Sequence, residues 1–176
     1  VNEAKEIGVE TLPPSVNESF EDFAVVPDGN GKERIRFGLN AIKNVGRPAA
    51  EEIVRERKAG GKYRDLEDFL ERVRTKDLNK KSLEALAKVG ALDHFGERGL
   101  FLANLDSILS FSKNVEKVRE THAVSLFGEL SLEKPKVRLD PATPATKKSR
   151  LDWEKELLGL YVSDHPLSGY ASYLAE

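Results

Sequence analysis

With 176 residues, 39% of them apolar and 33% charged, the chain is long enough for one modest domain and some tail, and too polar for a membrane protein. No apolar run approaches the roughly 20 residues of a membrane span, and the first residues lack the pattern of a signal peptide, so a soluble, cytoplasmic chain is expected. The net charge of −2 conceals an asymmetry: Val1 to Glu33 carries 2 basic and 8 acidic residues, Arg34 to Arg98 16 basic and 11 acidic. A basic middle suits a polyanion, and equally a solvated helical surface of mixed charge.

In chain order, Val1 to Pro14 ends in LPPS and promises no more than one strand or turn at an edge. Phe20 to Pro27 and Glu33 to Leu39 are β-rich runs around Asp28-Gly29-Asn30-Gly31, whose Asp-Gly and Asn-Gly pairs supply the positive φ of a tight hairpin. In the second strand Ile35 and Phe37 face one side, Arg34 and Arg36 the other. Helical spacing follows. Ile42 to Arg57 (IKNVGRPAAEEIVRER) begins and ends like an amphipathic helix, but Asn44-Val45-Gly46-Arg47-Pro48 in its middle cannot stay helical, which makes it two helices. Asp65 caps a helix that buries Leu66, Phe69, Leu70 and Val73, and Asn79 caps another that buries Leu83, Leu86 and Ala87 and stops at Gly90. A fifth, longer helix runs from about Arg98 and buries Phe101, Leu102, Leu105, Ile108 and Leu109, with Val115 and Val118 on its continuation. Glu129 to Arg150 has three prolines and no periodicity, as a linker would. A last helix spans Leu151 to about Tyr161, with Trp153, Leu157 and Leu160, before His165-Pro166.

Chemistry is scarce. Zero cysteines exclude disulfides and thiolate metal sites, and His94, His122 and His165 lie too far apart to suggest a metal cluster; no cofactor is expected. Asp164 and His165 beside Glu154 and Glu156 lack a nearby nucleophile or second histidine, so they read as structural. The absence of methionine, even at position 1, is what a piece of a longer protein would show.

The broken helix is the most informative feature. Gly46 has no Cβ and Asn readily visits left-handed backbone, so the loop can turn tightly and present consecutive N–H groups. Arg47, Pro48 and Ala49 then form the first turn of the second helix, where unpaired donors and the positive dipole end favour a phosphate. Pro48 gives up an N–H that had no helical acceptor, and Lys43 and Arg47 add charge. Ala50, Ile53 and Val54 hold the second helix against the first. Asn44-Val45-Gly46, then Ala50 and Ile53, resemble the helix-hairpin-helix DNA-binding motif, with Asn in place of its first Gly. An ordinary αα-hairpin is the competing reading. A degenerate second hairpin, Ala87 to Asp93, keeps only Gly90; it reads better as a structural repeat, packed through the Asp65 to Val73 connector, with Lys80, Lys81, Lys88 and Arg98 as weaker phosphate contacts. A mainly α, tandem helix-hairpin-helix fold with an N-terminal β-hairpin and a C-terminal linker plus helix is therefore expected.

Five segments in order, IRFGLNAIKNVG, KYRDLEDFLERV, NKKSLEALAKVGALD, SLFG and WEKELLGLYVSDHPL, resemble the α-subunit family of bacterial DNA polymerase III, the replicative polymerase, over essentially the whole chain. The resemblance implies four parts: 1–38 as the end of a fingers region, 39–119 as the tandem helix-hairpin-helix domain, 120–150 as clamp-binding peptide and linker, and 151–176 as a helix leading toward an OB domain. It implies duplex DNA held by its backbones, with Lys43, Asn44, Val45, Gly46, Arg47, Lys88, Gly90 and Arg98 as contacts. It also implies a sliding clamp bound by Ala123, Val124, Ser125, Leu126 and Phe127, although the family's Gln is Ala123 here. The other domains of the α subunit would be the remaining partner. The family's catalytic aspartates lie upstream, so no catalytic residue is expected in this piece of a nucleotidyltransferase. A helical protein-interaction scaffold without DNA binding is the alternative; a free-standing nuclease or ligase would need catalytic residues that are not found.

Overall fold

The structure, a computed structural model, describes residues 10–27, 30–122 and 136–163, with the backbone alone for 116–122. It is mainly helical with one small sheet. β1 (Thr11–Leu12), β2 (Ala24–Pro27) and β3 (Glu33–Arg36) form a sheet in the order β1-β3-β2, β1 parallel and β2 antiparallel to β3. Ile35 lies opposite both Thr11 and Val25. Gly31, at φ +77°, supplies the positive φ expected of the hairpin.

Both hairpin strands are shorter than their β-rich runs. At Gly38 the chain passes so close to Asp22 that an added Cβ would overlap the Asp22 backbone. The two runs pair again beyond this crossing, where Leu39 N–H donates to Phe20 O and Asn40 N–H to Glu21 O. Phe37 is buried and meets Phe23 edge-on, with ring centroids 4.5 Å apart.

A single 3₁₀ turn, Leu39–Ala41, stands where the first half of the broken helix was expected. Ile42 is extended (φ −81°, ψ 118°), and Lys43 N–H donates to Leu157 O, far along the chain, so no i→i−4 ladder starts. α1 (Arg47–Gly60) follows with proline in its first turn, and ends three residues later than expected, at Gly61 with φ +76°.

α2 (Leu66–Arg72) and α3 (Lys80–Lys88) start at Asp65 and Asn79, whose side chains accept N–H bonds from the first turn. The residues expected inside these helices, Leu66, Phe69, Leu70, Val73, Leu83, Leu86 and Ala87, are all buried. The long helix splits in two, α4 (Arg98–Ala103) and α5 (Leu105–His122), at Asn104 (φ −112°, ψ 18°). Phe101, Leu105, Ile108 and Val115 are buried, with Leu102 and Leu109 packed on the same core. The side chain of Val118 lies outside the described residues.

Asn104 also fastens residues 136–146, which have no helix or strand but are held against the helices. Its Nδ2 donates to Asp140 O at 2.9 Å and its Oδ1 accepts Asp140 N–H at 2.8 Å, in place of a strand ladder. Glu97 Oε1 accepts Ala145 N–H at 2.7 Å, Glu67 accepts Val137 N–H at 3.1 Å, and Val137 and Leu139 pack on the core. Side chains thus supply the partners that an irregular strap cannot find in itself. The strap leads to α6 (Lys147–Leu158), which starts four residues before the expected Leu151 because the Thr146 hydroxyl accepts Ser149 N–H; it ends at Gly159, in left-handed backbone. Its Leu157 and Leu158 join one continuous core with Val16 and Phe37 from the sheet region and the inner faces of α1 to α5.

Candidate nucleic-acid interface

The loop from Ile42 to Pro48 alternates between inside and outside. Ile42 and Val45 are buried, whereas Lys43, Asn44, Gly46, Arg47 and Pro48 are exposed. The apolar pair nails the loop to the core, so the polar residues between them stand on a fixed base. Asn44 takes φ +71°, the one positive φ outside glycine among the described residues. Gly46 is at an ordinary φ of −72°, and a Cβ there would meet nothing closer than Pro48 Cδ at 3.6 Å. The turn thus depends on Asn44, and the missing side chain at Gly46 leaves its N–H open to approach.

The amides divide accordingly. Val45 N–H donates to Ile42 O and Lys43 N–H to Leu157 O, while Ala49 and Ala50 N–H share Gly46 O. The N–H groups of Asn44, Gly46 and Arg47 have no acceptor among the described residues. They lie at the start of a 14-residue helix with no acid in its first turn. The Arg47 guanidinium is 3.6 Å from Glu51 and largely exposed, so the ion pair is a weak, surface one. Of the residues expected to touch DNA here, Val45 does not present itself: its side chain is buried and its N–H taken, and it serves to anchor the loop.

The second hairpin is closed. Gly90 is buried at φ +80°, with the Arg98 guanidinium where its Cβ would be. Arg98 is 5% exposed; it donates to both Asp93 carboxylate oxygens and to Lys88 O, and its Nη1 is 3.6 Å from Glu154. Lys88 Nζ pairs with Glu84 at 2.6 Å and lies 6.0 Å above the Trp153 ring of α6. Lys80 pairs with Asp106. Lys88, Gly90 and Arg98, expected as weaker contacts, are thus engaged within the fold, Arg98 and Lys88 in part by residues of α6. Their sequence spacing carried no hint of α6, which comes from nearly sixty residues away.

Two carboxylates hold distant parts of the chain, Glu97, which the sequence did not single out, and Glu154, which it read as structural. Glu97 caps α4 through Leu100 N–H and also holds the strap at Ala145 and Arg150. Burial pushes its carboxyl upward, but the bonds from Ala145, Leu100, Gly99 and Arg150 outweigh this and hold it below the usual range. Glu154, wholly buried, accepts N–H bonds from Val162 and Ser163. The expected clamp-binding residues, Ala123, Val124, Ser125, Leu126 and Phe127, lie outside the described residues, as do Asp164 and His165.

The first loop is anchored and leaves amides without acceptors among the described residues at a helix start, whereas the second spends its own, Gly90 N–H on Ala87 O and Ala91 N–H on Leu86 O. The chain belongs to the helix-hairpin-helix family: the sequence model of the helix-hairpin-helix motif matches residues 8–99, just over half of it, and so takes in the small sheet. It is homologous to DNA polymerase III α subunits. It is 42% identical over 170 residues to "DNA polymerase III subunit alpha" of Thermus aquaticus, covering 97% of this chain and 13% of that relative. The proteins of the same name from Campylobacter jejuni and Helicobacter pylori are 36% and 39% identical, each over 97% of this chain and over 14% and 15% of their own lengths. The chain thus spans about one seventh of the curated relatives it matches. Among the described residues no helix is long and apolar enough to cross a membrane.

Proposed function

We propose that this chain is a non-catalytic part of a replicative DNA polymerase α subunit, in the cytoplasm, and that it grips the backbone of duplex DNA without reading sequence. One observation carries the reading: Asn44, Gly46 and Arg47 are exposed residues at the entry to α1 whose N–H groups have no acceptor among the described residues, with the Lys43 and Arg47 cations beside them. Backbone N–H groups and a helix start bind phosphate oxygens wherever these occur, which positions a duplex but carries no base information. The relatives' name supplies the context of DNA replication and of a parent nucleotidyltransferase. Residues 123–127 are proposed to tether the same polymerase to a sliding clamp, with Leu126 and Phe127 filling an apolar pocket.

Fluorescence anisotropy of a labelled duplex at several salt concentrations tests the grip. Affinity is expected to fall with salt at a log-log slope of roughly −0.9 per phosphate contact, and Lys43→Glu/Arg47→Glu to flatten that slope. A duplex affinity that the double variant leaves unchanged would contradict it. Absence of binding even at low salt would favour the scaffold reading.

A further inference from the structure

α6 touches both hairpins at once. At its C-terminal end, Leu157 O accepts the Lys43 N–H at 2.9 Å, so the first backbone bond of the open loop is supplied by a helix over a hundred residues away. One turn earlier, Glu154 is wholly buried. Its Oε2 accepts Val162 and Ser163 N–H at 2.9 and 3.0 Å, and its Oε1 faces Arg98 Nη1 of the closed hairpin at 3.6 Å. Glu154 therefore hydrogen-bonds α6 to the chain that folds back behind it, and faces the second hairpin through an ion pair with an oxygen that accepts no hydrogen bond among the described residues. Gly159, at φ +77°, makes that fold-back, and its N–H closes the helix on Lys155 O.

We infer that α6 is a latch that sets the phosphate-binding shape of the first hairpin, with Glu154 as the positioning residue and the Gly159 turn as its pivot. This rests on the first hairpin being the duplex-binding loop. The left-handed turn at Asn44 is closed from within by the Val45 N–H bond to Ile42 O and held from outside by the Lys43 N–H bond to Leu157 O, and the second of these comes from α6. Lys43 itself points its charge outward, so the latch acts on the loop from behind without touching the ligand. A group whose supporting contacts lie outside its own element is held as rigidly as those contacts are. Release of α6 would free the loop and raise the ordering cost of each phosphate contact. The site's affinity thereby becomes sensitive to whatever pulls on the chain on either side of α6.

Gly159 allows a clean test, because nothing lies within 4 Å of a Cβ placed there and only the positive φ resists a side chain. Gly159→Val is expected to strain the pivot, Gly159→Asn to preserve it, since Asn tolerates left-handed backbone and Val does not. Two readouts are made on the intact chain: amide exchange at Lys43, with the α3 amides of Leu83 to Ala87 as an internal reference, and affinity for a labelled duplex. Gly159→Val should speed exchange at Lys43 but not in α3, and weaken duplex binding by about fivefold or more, an order set by the cost of reordering a loop. Gly159→Asn should restore both. Glu154→Ala should act like Gly159→Val; if it also speeds exchange in α3 it has unfolded the domain, and the Gly159 pair decides. Unchanged Lys43 exchange in Gly159→Val overturns the latch, as does faster exchange without loss of affinity. The reading it rests on fails separately, if Lys43→Glu/Arg47→Glu leaves duplex affinity intact; the exchange result still judges the latch.

Discussion

At the scale of single residues, backbone conformation and close approach decide what each position tolerates. Asn44 sits at φ +71° in an exposed loop, where glycine would relieve the backbone and a β-branched residue would strain it. Asn44→Gly is expected to leave stability within a few tenths of a kcal/mol, whereas Asn44→Val should cost about 1–2 kcal/mol, both read from urea unfolding midpoints. Gly38 is different: its restriction is space, because a Cβ would overlap the Asp22 backbone. Gly38→Ala is expected to destabilise by about 1–3 kcal/mol, since a backbone neighbour cannot rotate away as a side chain can. Asn44 could be read from the sequence, because Asn before an apolar residue and Gly is a local turn signal. Gly38 could not, since the hairpin was legible but not the close crossing of its two runs at Asp22. Arg98 shows the limit more sharply. Next to a glycine hairpin it has the composition of a phosphate contact, yet its 5% exposure is decided by Asp93 and by Glu154 on a distant helix.

At the scale of elements, the strap from 136 to 146 owes its order to Glu67 on α2 and to Glu97 and Asn104 at the two caps of α4. Glu97 is the centre of that order and its carboxyl is held below the usual range. A carboxyl depressed in the folded state contributes its full stability above its unfolded value of about 4.3, and loses it as pH falls through the folded value. Acid should therefore loosen the strap, and Glu97→Gln should lower stability at neutral pH while flattening its decline on acidification below about 4.3. Equilibrium unfolding of both proteins over acidic to neutral pH checks this; parallel curves would contradict it. Asp68, depressed by its bonds to Arg64 and Arg72 although burial opposes them, adds to the wild-type decline in the same direction. Helix starts at Asp65 and Asn79 were legible because a cap and its apolar stripe lie within a dozen residues. The split at Asn104 and the docking of the strap were not, because the signal is an Asn side chain that replaces a strand partner 36 residues away.

At the scale of the molecule, the order of elements follows the hydrophobic periodicity closely from α1 to α5, and the first hairpin loop emerges where its helix-breaking residues put it. What periodicity cannot show is which surface a later segment covers. α6 meets both hairpins, but the second loop spends its own amides, Gly90 N–H on Ala87 O and Ala91 N–H on Leu86 O, whereas those of Asn44, Gly46 and Arg47 find no acceptor among the described residues. If the tether at residues 123–127 acts as proposed, Leu126→Ala/Phe127→Ala should abolish binding to a purified sliding clamp in surface plasmon resonance while leaving duplex affinity unchanged; retained clamp binding would contradict it. The duplex grip rests on three amides, and a backbone ¹H–¹⁵N NMR titration of the chain with duplex DNA at low salt reads them directly. The largest shifts are expected on Asn44, Gly46 and Arg47, with Gly90 unmoved. Shifts centred on the second hairpin, or absent from those three amides while the duplex binds, would contradict that grip.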